Sequence, residues 1–191
     1  MKRLMLGCFL VAATFTACNN SGNKSGEILV SSDTTSAKTS ASNAEVKNAS
    51  ATEVVTNYLI LKNALANDNA KEAATAGKAV KEALQKIDTS SLTADQKNVF
   101  YDVKDDMQEH AEHIGSNGDK IEHQREHFEL LSNDLYDLIK VIRSDRTLFK
   151  DHCPMYNDGK GANWLSEVKE IKNPYLGKKM PTCGTVKEEI K

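Results

Sequence analysis

Apolar residues recur at helical spacing through the middle of the chain, and the breaks between them mark four helices. Ser50-Ala51-Thr52-Glu53 reads as a capping box, and Val54, Tyr58, Leu61 and Leu65 follow on one face of a helix that ends near Asn67. Asp68 or Asn69 caps a second helix, whose Ala70, Ala73, Gly77, Val80, Leu84 and Ile87 make a stripe narrow enough for another helix to approach closely. After a polar break over 88–92, Thr93-Ala94-Asp95-Gln96 is a second capping box. It opens a third helix with Val99, Val103, Met107, His110 and Ile114 inward and Gly115 and Gly118 bracketing its end. The fourth runs from about Asp119 to Ile142, with Ile121, Gln124, Phe128, Leu131, Leu135, Leu138 and Ile142 on one face. Short loops between amphipathic helices predict an all-α fold, an antiparallel up-down four-helix bundle.

Beyond Arg146 the period is lost. Pro154 and Pro174 disfavour helix at the residues before them, and only Asn163 to Ile171 has the makings of a short helix. Trp164, Tyr156, Tyr175 and Leu165 argue that this irregular, Cys- and Met-containing C-terminal segment packs on the bundle. Upstream, 19–48 is rich in Ser, Thr, Asn, Ala and Lys and cannot bury enough apolar surface to fold; as a flexible tether it reaches about 30 Å.

The first residues set the expected compartment. Lys2 and Arg3 precede the apolar run Leu4 to Ala13, which is too short to span a bilayer and has the form of a secretory leader. It ends in Phe15-Thr16-Ala17-Cys18, which resembles the bacterial lipobox, with Phe15 in place of the usual Leu. The expected organisation is a lipoprotein signal peptide over 1–17, a lipidated Cys18 with its tether over 18–49, and a helical domain over 50–191. Within that domain 50–146 is the bundle and 147–191 the tail. The resemblance places the protein in the cell envelope, held to a membrane by lipid, on the periplasmic side.

A formal net charge of -2 and aromatics at 6%, not interleaved with Lys and Arg, set nucleic acid aside as a partner. Of the four cysteines, Cys8 leaves with the leader and Cys18 carries lipid, so Cys153 and Cys183 remain. In an oxidising compartment two such thiols form either a disulfide or a soft metal site. Cys153-Pro154-Met155 and Met180-Pro181-Thr182-Cys183 supply two thiols and two thioethers, a donor set that selects Cu(I). Closing the loop from Cys153 to Cys183 as a disulfide is worth roughly 3–4 kcal/mol in the chain-entropy model. Both readings stand on these residues.

The five histidines are His110, His113, His123, His127 and His152. On a helical wheel His110 points inward, His113 lies at the edge of that face, His127 flanks the Phe128 stripe and His123 points toward water. His123 and His127 have the i, i+4 spacing that suits a shared metal. His152 beside Cys153 lacks a third catalytic partner, and neither a phosphate loop nor a dinucleotide fingerprint is present, so a binding protein is expected and not an enzyme.

Several stretches carry a resemblance: Tyr58-Leu59 through Leu65, Glu112-His113-Ile114, Gln124-Arg125-Glu126-His127-Phe128 with Leu131-Ser132, and in the tail Cys153-Pro154-Met155, Asp158 to Leu165, Ile171 to Tyr175 and Met180 to Val186. From Ser50 onward the chain resembles the small helical domain of unknown function on periplasmic adaptor (membrane fusion) proteins of bacterial heavy-metal efflux systems, also found on stand-alone lipoproteins. Leu176 stands where that family often has an aromatic residue. The resemblance implies handling of copper or a related heavy metal outside the cytoplasm, with a heavy-metal efflux component as partner, and it supplies no ligand list. Donor chemistry supplies one: Cys153, Met155, Met180 and Cys183 first, with His113, His127 and His152 from the bundle and its edge. The expected ion is copper, as Cu(I), with zinc as the other metal that imidazoles accept. The rival expectation is a disulfide-stapled helical interaction module, Cys153 to Cys183, that holds no metal.

Overall fold

The computed structural model describes residues 49–191, so the leader over 1–17, Cys18 and the tether up to 48 lie outside the described residues. Four helices follow in order: α1 Ala49–Ala66, α2 Ala70–Gln85, α3 Ala94–Ser116 and α4 Ile121–Ile142. Among the described residues no helix is long and apolar enough to cross a membrane.

The helix starts match the side chains that open them, with one shift. Asn69 caps α2 by accepting from the Glu72 backbone N–H, and Thr93 and Gln96 form the reciprocal capping box of α3. The backbone is already helical at Ala49, so Ser50 lies inside α1 and does not cap it. Each helix packs antiparallel on the next. The small stripe of α2 serves α3: a Cβ on Gly77 would sit 2.8 Å from Ile114 Cγ2 and 3.0 Å from the Ala111 carbonyl, so only glycine permits this approach.

The tail overturns the all-α expectation. It carries three strands, β1 Leu148–Cys153, β2 Ala162–Ser166 and β3 Thr185–Ile190, in one antiparallel sheet of order β2-β1-β3, with a single 3-10 turn at Gly177–Lys179. The segment expected to be helical over Asn163 to Ile171 contains most of β2. Two features hid β1 from a reading of hydrophobicity. Asp151 takes an inward, fully buried position, and a bulge between Lys150 and Asp151 breaks the two-residue alternation. In β3 only Ile190 is buried; Lys187 and Glu189 give this edge strand exposed charges, and Glu188 accepts from Tyr136 and Lys140 of α4.

The sheet also alters the bundle. β2 packs on α4 and on α1, filling the seam between the first and last helices, which touch one another at few positions. Tyr58 of α1 stitches this seam. Its ring stacks on Phe128 at 5.1 Å, its hydroxyl donates to Ser132 Oγ at 2.7 Å, and it accepts the Leu165 N–H of β2 at 3.0 Å. Trp164 and Tyr175 complete the buried aromatic cluster, edge to face at 5.9 Å, and Tyr156 stacks on Tyr175 at 4.5 Å.

Arg125 anchors the rest of the tail. This buried guanidinium donates to the Pro174 carbonyl at 2.9 Å, the Leu65 carbonyl at 3.1 Å and Asp68 Oδ1 at 2.6 Å. Asp68 in turn accepts the Lys178 N–H at 3.1 Å. One side chain on α4 therefore fixes both the α1–α2 turn and the 3-10 segment.

Candidate metal centre

The hairpin of α3 and α4 turns over the four residues Asn117 to Lys120. Hydrogen bonds make this turn rigid. Asn117 Nδ2 donates to the His113 carbonyl at 2.8 Å and the Lys120 N–H to the Asn117 carbonyl at 3.0 Å. Gln124, fully buried, then donates to the Ala70 carbonyl at 2.9 Å and the Ile114 carbonyl at 3.1 Å, pinning α4 against both α2 and α3.

This clamp sets the relative rotation of the two helices, and it brings four imidazoles together. His127 is the hub: its ring lies 4.3 Å from that of His113, nearly parallel at 12°, 4.6 Å from His123 and 5.4 Å from His110. His113, His123 and His127 each offer a ring nitrogen, all within 4.8 Å of one another. His110 Nδ1 lies 3.2 Å from His127 Nδ1. A tetrahedral ion with metal–nitrogen bonds of about 2.0–2.1 Å holds its ligand nitrogens about 3.4 Å apart, so modest side-chain rotation converts the cluster into a coordination shell. All four histidines are half-buried, which leaves the groove open to an incoming ion.

The surroundings favour ligation. Burial, together with the neighbouring imidazoles His113, His123 and His110, pushes His127 down to about 4. Burial also lowers His110. Both are therefore neutral near pH 7 and hold the lone pairs a metal needs. Glu126 Oε2 lies 3.3 Å from His123 Nδ1 and Glu109 Oε1 lies 3.9 Å from His113 Nε2, carboxylates positioned to orient a ligating ring through its other nitrogen.

The sulfur donors form a second, separate group. Cys153 is buried at the end of β1, and its Sγ lies 3.3 Å from that of half-buried Cys183; both are free thiols. Met155 and Met180 are 59% and 39% exposed, so neither thioether is held in place by packing. His152 neighbours Cys153 on the strand and therefore points to the opposite face, where Nδ1 pairs with Asn163 Oδ1 at 2.9 Å. Imidazole nitrogens, thiol sulfurs and carboxylate oxygens gather into a set of three only at His113, His123 and His127 among the described residues. Of the expected ligands, the structure joins His113 with His127 and Cys153 with Cys183; Met155 and Met180 adjoin Cys183 through their backbones, and His152 pairs with Asn163. His110 and His123, weighed on the helical wheel but left out of the ligand set, belong to the cluster.

Residues 54–147 match the family described as "Protein of unknown function (DUF3347)". Over these residues the chain is similar to the DUF3347 family. The resemblance drawn from the sequence to a small helical domain of unknown function is thereby borne out. The match spans most of α1, the three helices after it and the residues up to β1, so the four histidines of the groove lie inside the matched residues and both cysteines of the tail lie beyond them. No curated protein and no solved structure matches the chain.

Proposed function

We propose that this chain is a lipid-anchored protein of the cell envelope that captures copper or a related transition metal outside the cytoplasm and hands it on for delivery or efflux, and that the helical domain holds the ion in the groove between α3 and α4. The observation that carries the reading is the convergence of three ring nitrogens within 4.8 Å, with a fourth imidazole 3.2 Å from the hub. The leader with its lipobox-like ending at Cys18 supports the location. Imidazoles are borderline donors that suit Cu(II) and Zn(II), whereas thiolate with thioether suits Cu(I). With Met155 and Met180 turned to solvent and the nitrogens gathered, the favoured ion shifts from Cu(I) to Cu(II), with Zn(II) next. The half-exposed groove suits a carrier, since an ion that must be passed on needs ligands an acceptor can reach.

Calorimetric titration of the purified chain with Cu(II) and with Zn(II) tests this. One ion per chain is expected, lost in His127→Ala and weakened at least about tenfold in His113→Ala and His123→Ala, with Met155→Leu and Met180→Leu unchanged. Helix content by circular dichroism confirms that each variant remains folded. Equal affinity in the wild type and in His127→Ala would refute the groove as the site.

A further inference from the structure

The histidine groove leaves one pair of nucleophiles unused. Cys153 and Cys183 are free, with Sγ atoms 3.3 Å apart and a separation of 30 positions in the chain. A disulfide bond is about 2.05 Å long, so the sulfurs stand little more than about 1 Å from bonding distance. Both backbones are fixed where the sulfurs meet. Cys153 closes β1 opposite Ala162 of β2. Cys183 donates its N–H to the Met180 carbonyl at 3.2 Å and its carbonyl accepts Asn173 Nδ2 at 2.6 Å. The next residue, Gly184, runs so close beneath Trp164 that a Cβ there would lie 2.8 Å from the indole ring, which leaves the segment no other course. The Met155 backbone N–H donates to the Cys183 sulfur. Access is unequal: Cys153 is 0% exposed, whereas Cys183 is only half-buried.

We propose that Cys153 and Cys183 form a dithiol–disulfide couple in which Cys183 meets the oxidant, and that closing it staples β1 to the segment leading into β3. The oxidant is another disulfide, borne by a small thiol compound or by a protein. Cys183 gives its proton to solvent and its thiolate attacks one sulfur of that disulfide. The oxidant's S–S bond breaks, one thiolate leaves, and a mixed disulfide remains on Cys183. Cys153, deprotonated in turn, attacks the Cys183 sulfur and displaces the second thiolate. Two electrons pass from the cysteine pair to the oxidant, which takes up two protons and departs as two thiols. Burial and the hydrogen bond with Cys153 hold the Cys183 thiol above its ordinary range, so exchange is slow at neutral pH and quickens as pH rises. The loop that closes contains β2, Trp164, Tyr175 and the 3-10 turn, the parts of the tail that pack on the helices. This couple stands independently of the metal reading, because no histidine of the groove takes part.

The test uses the full chain in glutathione buffers from fully reduced to fully oxidised, quenched by alkylation and mapped by peptide mass. As oxidised glutathione rises, the peptides of Cys153 and Cys183 should become linked to each other, and Tm should rise on the order of 10 °C for a loop of this length. In Cys153→Ala, glutathione should accumulate on Cys183 and the rise in Tm should vanish. Free thiols at both positions in fully oxidised glutathione, in a chain that remains folded, would overturn the couple, as would linkage of either cysteine to Cys8 or Cys18. Glutathione on Cys153 of the Cys183→Ala variant at the rate seen for Cys183 would overturn the assignment of the attacking sulfur.

Discussion

Asp151 offers a quantitative test of how the sheet is packed. The residue is fully buried on β1, and neither carboxylate oxygen has a hydrogen-bond partner among the described residues. Its cross-strand neighbour Trp164 likewise leaves Nε1 unpaired, and the nearest cation, Lys62, bonds Glu167 at 2.7 Å instead. Burial pushes the Asp151 carboxyl up to about 7, with Lys62 opposing the shift and Glu167 adding to it. The folded chain therefore holds a proton that the unfolded chain releases near the ordinary value of 3.8. The associated stability is complete below about pH 4 and is lost as pH rises through 7.

At about 1.36 kcal/mol per unit, the whole shift corresponds to roughly 4 kcal/mol. Linkage leaves roughly 2.7 kcal/mol of this at about pH 5 and almost none at about pH 8. Relaxation of the site and screening reduce the difference, so about 1–3 kcal/mol is expected between the two conditions. Asp151→Asn keeps the shape and removes the titration. Subtracting its stability from that of the wild type cancels every other titrating group, provided the two proteins unfold in two states. Denaturant unfolding at the two pH values should show the variant gaining on the wild type as pH rises. A difference that stays flat or reverses would mean that Asp151 is ionised and paired in the folded state, and the account of a desolvated carboxyl would fail.

Two further substitutions probe what holds the tail and the hairpins. Arg125→Met should lower stability by about 3–5 kcal/mol, since it strands Asp68 and the Pro174 and Leu65 carbonyls, and adding Asp68→Asn should recover part of the loss; denaturant midpoints for the single and double variants check both statements. Gly77→Ala should destabilise by about 1–3 kcal/mol, because its Cβ would lie 2.8 Å from Ile114 Cγ2, and Ile114→Ala, which removes that carbon, should cost less in the Gly77→Ala chain than in the wild type; thermal unfolding of the two single variants and the double variant decides.

The helices were legible because each carries both a period and an end signal. Asn69, Thr93 and Gln96 cap where their types suggest, and the stripe through Gly77 announced a close neighbour before α3 could be named as that neighbour. The sheet was not legible, and the reasons are physical. A strand is recognised by alternation, yet β1 has a bulge in its middle and a carboxylate at an inward position, while β3 has one buried residue in six. Its burial comes from tertiary contact, which local hydrophobicity does not record. Trp164, Tyr175 and Leu165 signalled that the tail packs, but they did not signal the form in which it packs.

The histidine groove shows a different kind of limit. A helical wheel places each residue about its own axis and says nothing about the rotation of one helix against another, which is why His123 looked solvent-bound when drawn alone. The missing term was available in the turn. α3 ends at Ser116 and α4 begins at Ile121, so the helices run antiparallel from a four-residue connection. Counting outward, His113 and His123 lie four and three residues from its ends, and His110 and His127 each lie seven. Equal distances from a tight hairpin place residues at the same height, and steps of three, four and seven return to the same face at 3.6 residues per turn. Two layers of paired imidazoles follow from that arithmetic. Gln124 supplies the rotation, since its side chain, held by Ala70 and Ile114, turns the neighbouring His123 and His127 toward α3. A short turn flanked by histidines at matched distances, with a buried amide to fix the phase, is therefore a sequence signal for clustered imidazoles, and it owes nothing to the cysteines that first drew notice to the tail.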